Sequence, residues 1–185
     1  TFARQTKPVK ASINLHHLLD NTLELRDYVL KTDNIEVMRN YDSQLPWVTL
    51  DAGQVQQVFL NLIVNAEYAI KQKRAQGSLT ITTAQKGEAC VITFEDDGVG
   101  MSPETQSRLF QPFFTTKDPG QGTGLGLSIS RSIIVEHGGS IEVESEMGSG
   151  TTFRIYLPAS DREIPGKVQP AAEVDTLVVC PQEFR

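Results

Sequence analysis

Four stretches of the chain hold residue types at spacings able to do chemistry. "NLIVNA" sets Asn61 and Asn65 four residues apart, so a helix there would carry two amide side chains one above the other. "DDGVGM" leaves an alternating apolar run at Asp96 and then breaks at Gly98 and Gly100. "RLFQPFFTTK" collects Arg108, Phe110, Phe113, Phe114 and Lys117 in a segment without periodicity. "GQGTGLGLS" places glycine at 120, 122, 124 and 126 and then turns apolar, which raises the question of a ligand approached by bare backbone. Neither common nucleotide fingerprint answers it. The third glycine of G-x-G-x-x-G falls in the wrong place, and G-x-x-x-x-G-K-[ST] is absent.

Taken singly, each stretch has an ordinary reading. Asparagines on a helix flank are commonly solvated or cap locally. An Asp-Gly pair after a strand is a usual turn. A Phe-rich loop can tuck onto a core, and a glycine run can be a connector.

The elements that must position these residues follow from periodicity. Ile13, Leu18, Leu19, Leu23, Leu25, Val29 and Leu30 predict one amphipathic helix over 13–32. "NIEVMRNYD" alternates as a strand, and "PWVTL" adds a short extended piece. Asp51 can cap the next helix, with Gln54 at the spacing to reach back. Val55, Val58, Phe59, Leu62, Ile63, Ala66, Ala69 and Ile70 form its apolar arc, with Asn61, Asn65, Gln57 and Tyr68 on the flank. "SLTITTAQ" and "ACVITFED" predict an antiparallel pair. Ser102-Pro103-Glu104 starts a short helix through Leu109, and 110–124 reads as a long mobile loop. A helix closed by Gly138 and Gly139 follows, then a hairpin of "SIEVESE" and "TTFRIYLP". Residues 159–172 read as linker, and "DTLVVC" as a further strand or the start of another domain. The order predicts an α+β sandwich, a mixed sheet with helices on one face.

Composition narrows the function. With 185 residues and a net charge of −6, the chain fits one domain with short extensions and lacks the basic clusters that nucleic acid or anionic membrane would need. No apolar run approaches a membrane span, so no direct membrane contact and a cytoplasmic location are expected, with any anchor lying upstream. Cys90 and Cys180 lack metal-ligand spacing, and Cys90 reads as a buried strand thiol.

In order and content the four stretches resemble the N, G1, F and G2 boxes of sensor histidine kinases, and "HGGSIEVESEMGSGTTFRIYLP" is similar to that family's closing segment. Their catalytic domain shares a superfamily with gyrase, the ninety-kilodalton heat-shock chaperone and mismatch-repair ATPases. The likeness implies a Bergerat ATP-binding fold, a two-layer sandwich whose mostly antiparallel sheet is covered on one face by helices, with a mobile ATP lid. It implies a catalytic ATP-binding domain over 14–158, preceded at 1–13 by the tail of a dimerisation region and followed at 159–185 by a linker and extension.

What the resemblance implies for the site can be carried over residue by residue. Asp96 accepts the adenine amino hydrogen, Gly98 and Gly100 let backbone approach base and sugar, and Thr151 completes the pocket. Asn65 ligates Mg²⁺ through its amide oxygen. The run Gly122, Thr123, Gly124, Leu125 and Gly126 holds phosphate oxygens at a helix N-terminus. Lys117 is the cation expected to reach the phosphates, Arg108 does so or anchors the short helix, and Phe110, Phe113 and Phe114 anchor the lid. Asn61 stands where the related ATPases carry the Glu that activates water, and an amide cannot serve as that base. This favours transfer of the γ-phosphate to a histidine over hydrolysis.

None of His16, His17 and His137 fits the family's phosphoacceptor motif, so the acceptor is expected on the parent's own dimerisation domain, with a response-regulator receiver aspartate next. His137 reads as a helix-end residue meeting carbonyls. The fragment is expected to be monomeric and the parent a homodimer. One departure stands out: many members have Lys three residues after the metal Asn, and here that position holds Tyr68. The "FFTTK" lid resembles the nitrogen-regulation and oxygen-sensing type, in which Lys117 takes over part of that charge. A serine kinase of the same superfamily and a degenerate, non-catalytic signalling domain are the alternatives.

Overall fold

Asn14 ends one element and begins another. The computed structural model describes residues 9–118 and 120–159. Within the opening tail, Ala11–Ile13 form strand β1. The Asn14 side-chain oxygen then accepts the His16 and His17 amides and caps helix α1, Leu15–Glu24.

The helix predicted over 13–32 is two. It breaks at Leu25 and Arg26, where the Arg26 amide donates to the Leu23 carbonyl at 2.9 Å, and resumes as α2, Asp27–Thr32. The apolar pattern hid this break because Leu25 counted as core, yet it is 62% exposed. The corner lets Arg26 reach Glu67 on the long central helix, an ion pair at a largely buried carboxylate.

Strands β2 (Ile35–Asn40) and β3 (Val48–Leu50) come next, and β3 pairs antiparallel with β1. Helix α3, Ala52–Lys73, begins as expected: Asp51 accepts the Gln54 amide at 3.0 Å. The reciprocal arm of the capping box is replaced. The Asp51 amide donates to His137 Nε2 at 2.9 Å, not to Gln54. Val55, Val58, Phe59, Leu62, Ile63, Ala66 and Ile70 are buried along one arc of α3, whereas Ala69 is only half-buried.

Strands β4 (Gly77–Lys86) and β5 (Ala89–Asp96) form the predicted hairpin, turning at Gly87 with φ +59°. Helix α4 spans Pro103–Arg108 with Ser102 as its cap, and α5 spans Gly126–Glu136. Strands β6 (Ser140–Glu146) and β7 (Gly150–Pro158) close the fold. The main sheet runs β2-β4-β5-β7-β6, with β2 parallel to β4 and every other pair antiparallel.

Alternation gives the sheet one apolar face. Leu79 and Ile81, Cys90, Ile92 and Phe94, and Phe153, Ile155 and Leu157 are buried beneath the helices in one core. Each such large side chain stabilises the fold by about 1.5–3 kcal/mol. Phe59 of α3 tilts against Phe94 at 5.6 Å between ring centres. The Cys90 thiol is pushed up to about 11 by burial, as befits a packed strand residue. Asp96 continues this same inward row past Phe94, so the strand's own parity turns a carboxylate toward the helices. The predicted linker beyond Ala159, "DTLVVC" and Cys180 lie outside the described residues.

Candidate functional site

A cavity of about 510 Å³ opens where the end of β5 meets α3, the start of β7 and the loop before α5. Asp96 forms its floor. It is 6% exposed, and its carboxylate Oδ1 accepts the Gly98 amide at 2.9 Å. Burial pushes its pKa up to about 6, with the amides of Gly98 and Thr151 opposing that rise.

The glycines beside it are confined by the protein's own packing. A Cβ on Gly98 would lie 2.6 Å from the Ala69 carbonyl carbon, and one on Gly100 would lie 1.9 Å from the Glu146 carbonyl oxygen. Neither position therefore has room for a side chain against the neighbouring backbone. Gly100, at φ +68°, also lines the cavity, while Gly98 stands behind it.

Thr151 lies opposite Asp96 in the register and lines the cavity. Sequence reasoning missed its partner, Ser145. The Ser145 hydroxyl donates to the Gly150 carbonyl at 2.8 Å and accepts the Met101 amide at 2.8 Å. Its one proton being spent, the 2.9 Å contact with Thr151 has Thr151 as donor, which leaves the Thr151 lone pairs for the cavity. The available signal was a serine in the inward row of Ile141 and Val143, where an apolar residue would be usual.

One wall is the flank of α3, with Asn61, Asn65 and Tyr68 facing the cavity. Asn61 donates from Nδ2 to Ser130 Oγ at 3.0 Å, which ties α3 to α5. Asn65 Oδ1 accepts the Lys117 ammonium at 3.0 Å. That ammonium sits 4.5 Å from the Tyr68 ring centre, and burial holds it below the ordinary lysine range against the opposing pull of Glu67.

The loop forms the rim. Phe110 packs half-buried on the core under the Arg131 guanidinium, and Phe114 is covered by Arg108 at 4.5 Å. Arg108 does not line the cavity and faces Glu104 at 3.8 Å, so of the two roles expected for it the anchor is the one its contacts support. Phe113 corrects the expectation of a third lid anchor: it is 76% exposed with φ +66°. Its backbone is what matters, since a Cβ on Gly124 would lie 2.4 Å from the Phe113 carbonyl carbon. Gly122, Thr123, Gly124 and Gly126 line the cavity, and Leu125 does not. Leu125 opens α5 with no side-chain cap, so first-turn amides face the cavity's end of the helix without such a partner. Gly126 is confined by Asn61, whose Oδ1 would be 2.4 Å from an added Cβ.

The structure thus brings Asn61, Asn65, Asp96, Gly100, Lys117, the glycine run and Thr151 to one cavity. Among the described residues no cluster of three His, Cys, Asp or Glu is placed to hold a metal, and no helix is long and apolar enough to cross a membrane.

Comparison with known proteins gives a consistent answer. The model of the family described as histidine kinase-, DNA gyrase B- and HSP90-like ATPase matches residues 50–161. The sensor histidine kinase ZraS of Escherichia coli K12 is 34% identical over 149 residues, covering 80% of this chain and 31% of its own length. The sensory histidine kinase/phosphatase NtrB of Vibrio alginolyticus is 36% identical over 159 residues, covering 80% and 44%. The chain thus spans about a third to under half the length of these relatives. Full-length ShkA in complex with AMPPNP superposes with a TM-score of 0.76 at 26% identity, over 88% of this chain and 34% of that one. A nucleotide-free catalytic domain of the histidine kinase ThkA gives 0.71 at 32% identity, over 81% and 95%.

Proposed function

Because this chain belongs to the family of histidine kinase-, DNA gyrase B- and HSP90-like ATPases, we propose that it is the catalytic domain of a sensor histidine kinase. It binds Mg-ATP in the described cavity. The γ-phosphate goes to a histidine on the parent's dimerisation domain, for relay to a response-regulator aspartate. The parent acts as a homodimer in the cytoplasm, and residues 14–158 are the catalytic unit. The "FFTTK" lid and the likeness to NtrB favour the nitrogen-regulation type.

The observation that carries this reading is the buried Asp96 carboxylate facing the same cavity as Asn65 and the glycine run. An acceptor-only carboxylate suits an adenine amino group, and the second lone-pair face of Thr151 can hold the same group through water. At the far end, the uncapped start of α5 offers amide hydrogens and a positive helix end to phosphate oxygens.

The residues fit a magnesium ion. Asn65 Oδ1 already accepts one cation, the Lys117 ammonium, and a single protein oxygen is what an ion shared with phosphates needs. Bound there, Mg²⁺ would neutralise charge on the triphosphate. Asn61, engaged with Ser130, has no means to take a proton from water, so the γ-phosphate waits for the histidine nucleophile.

Calorimetric titration with ATP and ADP, with and without Mg²⁺, tests the reading beside Asp96→Asn. Magnesium-dependent binding that the variant weakens at least about tenfold is expected, since an amide can present a donor where an acceptor is needed. A folded wild-type protein that binds neither nucleotide would sink it.

A further inference from the structure

The basic side chains of α3 itself are turned away from the cavity. Lys71 pairs with Asp33 at 2.9 Å, and Lys73 donates to the Asp97 carbonyl at 2.8 Å. Among the described cavity-lining residues Lys117 alone is cationic, and it comes from the loop. Three contacts hold it. Its ammonium donates to Asn65 Oδ1 at 3.0 Å, it stands 4.5 Å from the centre of the Tyr68 ring, and its amide donates to Thr115 Oγ1 at 3.1 Å. Gly122 leaves room for its stem, since a Cβ there would lie 3.2 Å from Lys117 Cδ.

We propose that Tyr68 is a positioning residue for Lys117. Its ring and the Asn65 amide oxygen form a receptacle for the loop's ammonium, which a divalent cation at Asn65 must displace. Tyr68 and Asn65 lie three residues apart on one face of α3, so the helix presents ring and oxygen to one point. The ring face attracts a cation, and the amide oxygen carries the lone pairs. Two positive charges cannot share that single oxygen, because at such separations their repulsion is large in a partly buried site. Delivery of the ion therefore frees Lys117, and phosphate oxygens arriving with the ion become its next partners. Loop position and metal occupancy become one equilibrium. This inference rests on the nucleotide reading above for the ion's arrival, but not for the clasp itself.

Amide hydrogen exchange of residues 111–125, read by mass spectrometry without nucleotide, tests the clasp in wild type, Tyr68→Phe, Tyr68→Ala and Lys117→Met. Calorimetric Mg²⁺ titration of the ADP-loaded wild type and tyrosine variants tests the competition. Tyr68 is half-buried on the cavity wall, so its truncation leaves the core intact. Tyr68→Ala and Lys117→Met are expected to speed exchange about threefold to fivefold, and Tyr68→Phe to stay within about twofold of wild type. The half-saturating Mg²⁺ concentration should fall about threefold to fivefold in Tyr68→Ala and be restored in Tyr68→Phe. Wild-type exchange in Tyr68→Ala overturns the proposal, and so does an unmoved Mg²⁺ midpoint. Failure of the nucleotide reading looks different: wild type takes up no ADP, while loop exchange still responds to Tyr68.

Discussion

Asp96 carries a conflict between folding and binding. Its pKa of about 6 in the fold stands above the ordinary carboxylate value of 3.8, so folding favours the neutral form relative to the unfolded chain, although the group is still mostly ionised at pH 7. The group's relative contribution to stability is full below 3.8 and is lost as pH rises through about 6. Above that, keeping the charge buried costs about 3 kcal/mol. Asp96→Asn is therefore expected to raise stability by about 2–3 kcal/mol in urea melts at pH 7.5, and by little at pH 4. The adenine contact proposed for Asp96 has the opposite need, since the ionised carboxylate is the better acceptor. Affinity for ATP should weaken as pH falls through about 6 in wild type, and more shallowly in Asp96→Asn, where only titration of the nucleotide's own phosphate remains, which calorimetry across pH 5 to 8 would read.

Between elements, the pairing of α3 with α5 is fixed at both ends by polar contacts, with apolar packing between. At one end Asn61 meets Gly126 and Ser130. At the other His137, 5% exposed, donates from Nδ1 to the Ile133 carbonyl at 2.8 Å and accepts the Asp51 amide at Nε2. One ring thus closes the end of α5 and the start of α3. The carbonyl contact matches the helix-end role read from the sequence; the amide contact gives that role a long-range partner. His137→Leu keeps the bulk and strands the Asp51 amide, so a loss of about 2–3 kcal/mol in urea unfolding is expected. ATP affinity of the folded protein should change less than about twofold, because the ring sits at the N-terminus of α3, several turns before Asn65.

Over the whole molecule, the elements were legible wherever periodicity was long and the core one-sided. The α3 arc and the strands β4 to β7 needed only alternation and helical spacing. The α1–α2 break was not legible, because Leu25 satisfies the pattern without being buried and the turn serves an ion pair to Glu67, 41 residues away. The site shows the same division. Asp96, Asn65 and the glycine run could be named from order and type. The packing reasons for Gly98 and Gly100, the exposure of Phe113 and the donor logic of Ser145 depend on neighbours distant in the chain. Gln54 is the plainest case: its spacing fits a capping box, but a histidine 86 residues beyond Asp51 takes the amide first.

The hairpin turn at Gly87 points to an engineering use. Lys86 pairs with Ala89 at one end of the β4–β5 ladder and Leu79 with Asp96 at the other, so the turn and the cavity floor lie at opposite ends of an eight-rung ladder. Nothing lies within 4 Å of where a Gly87 side chain would begin. A fluorescent reporter or epitope spliced between Gly87 and Glu88 should leave ATP affinity within about twofold of the parent and urea stability within about 1 kcal/mol. The far end of the sheet is thus a handle by which the domain can be tagged and tracked while its chemistry proceeds undisturbed.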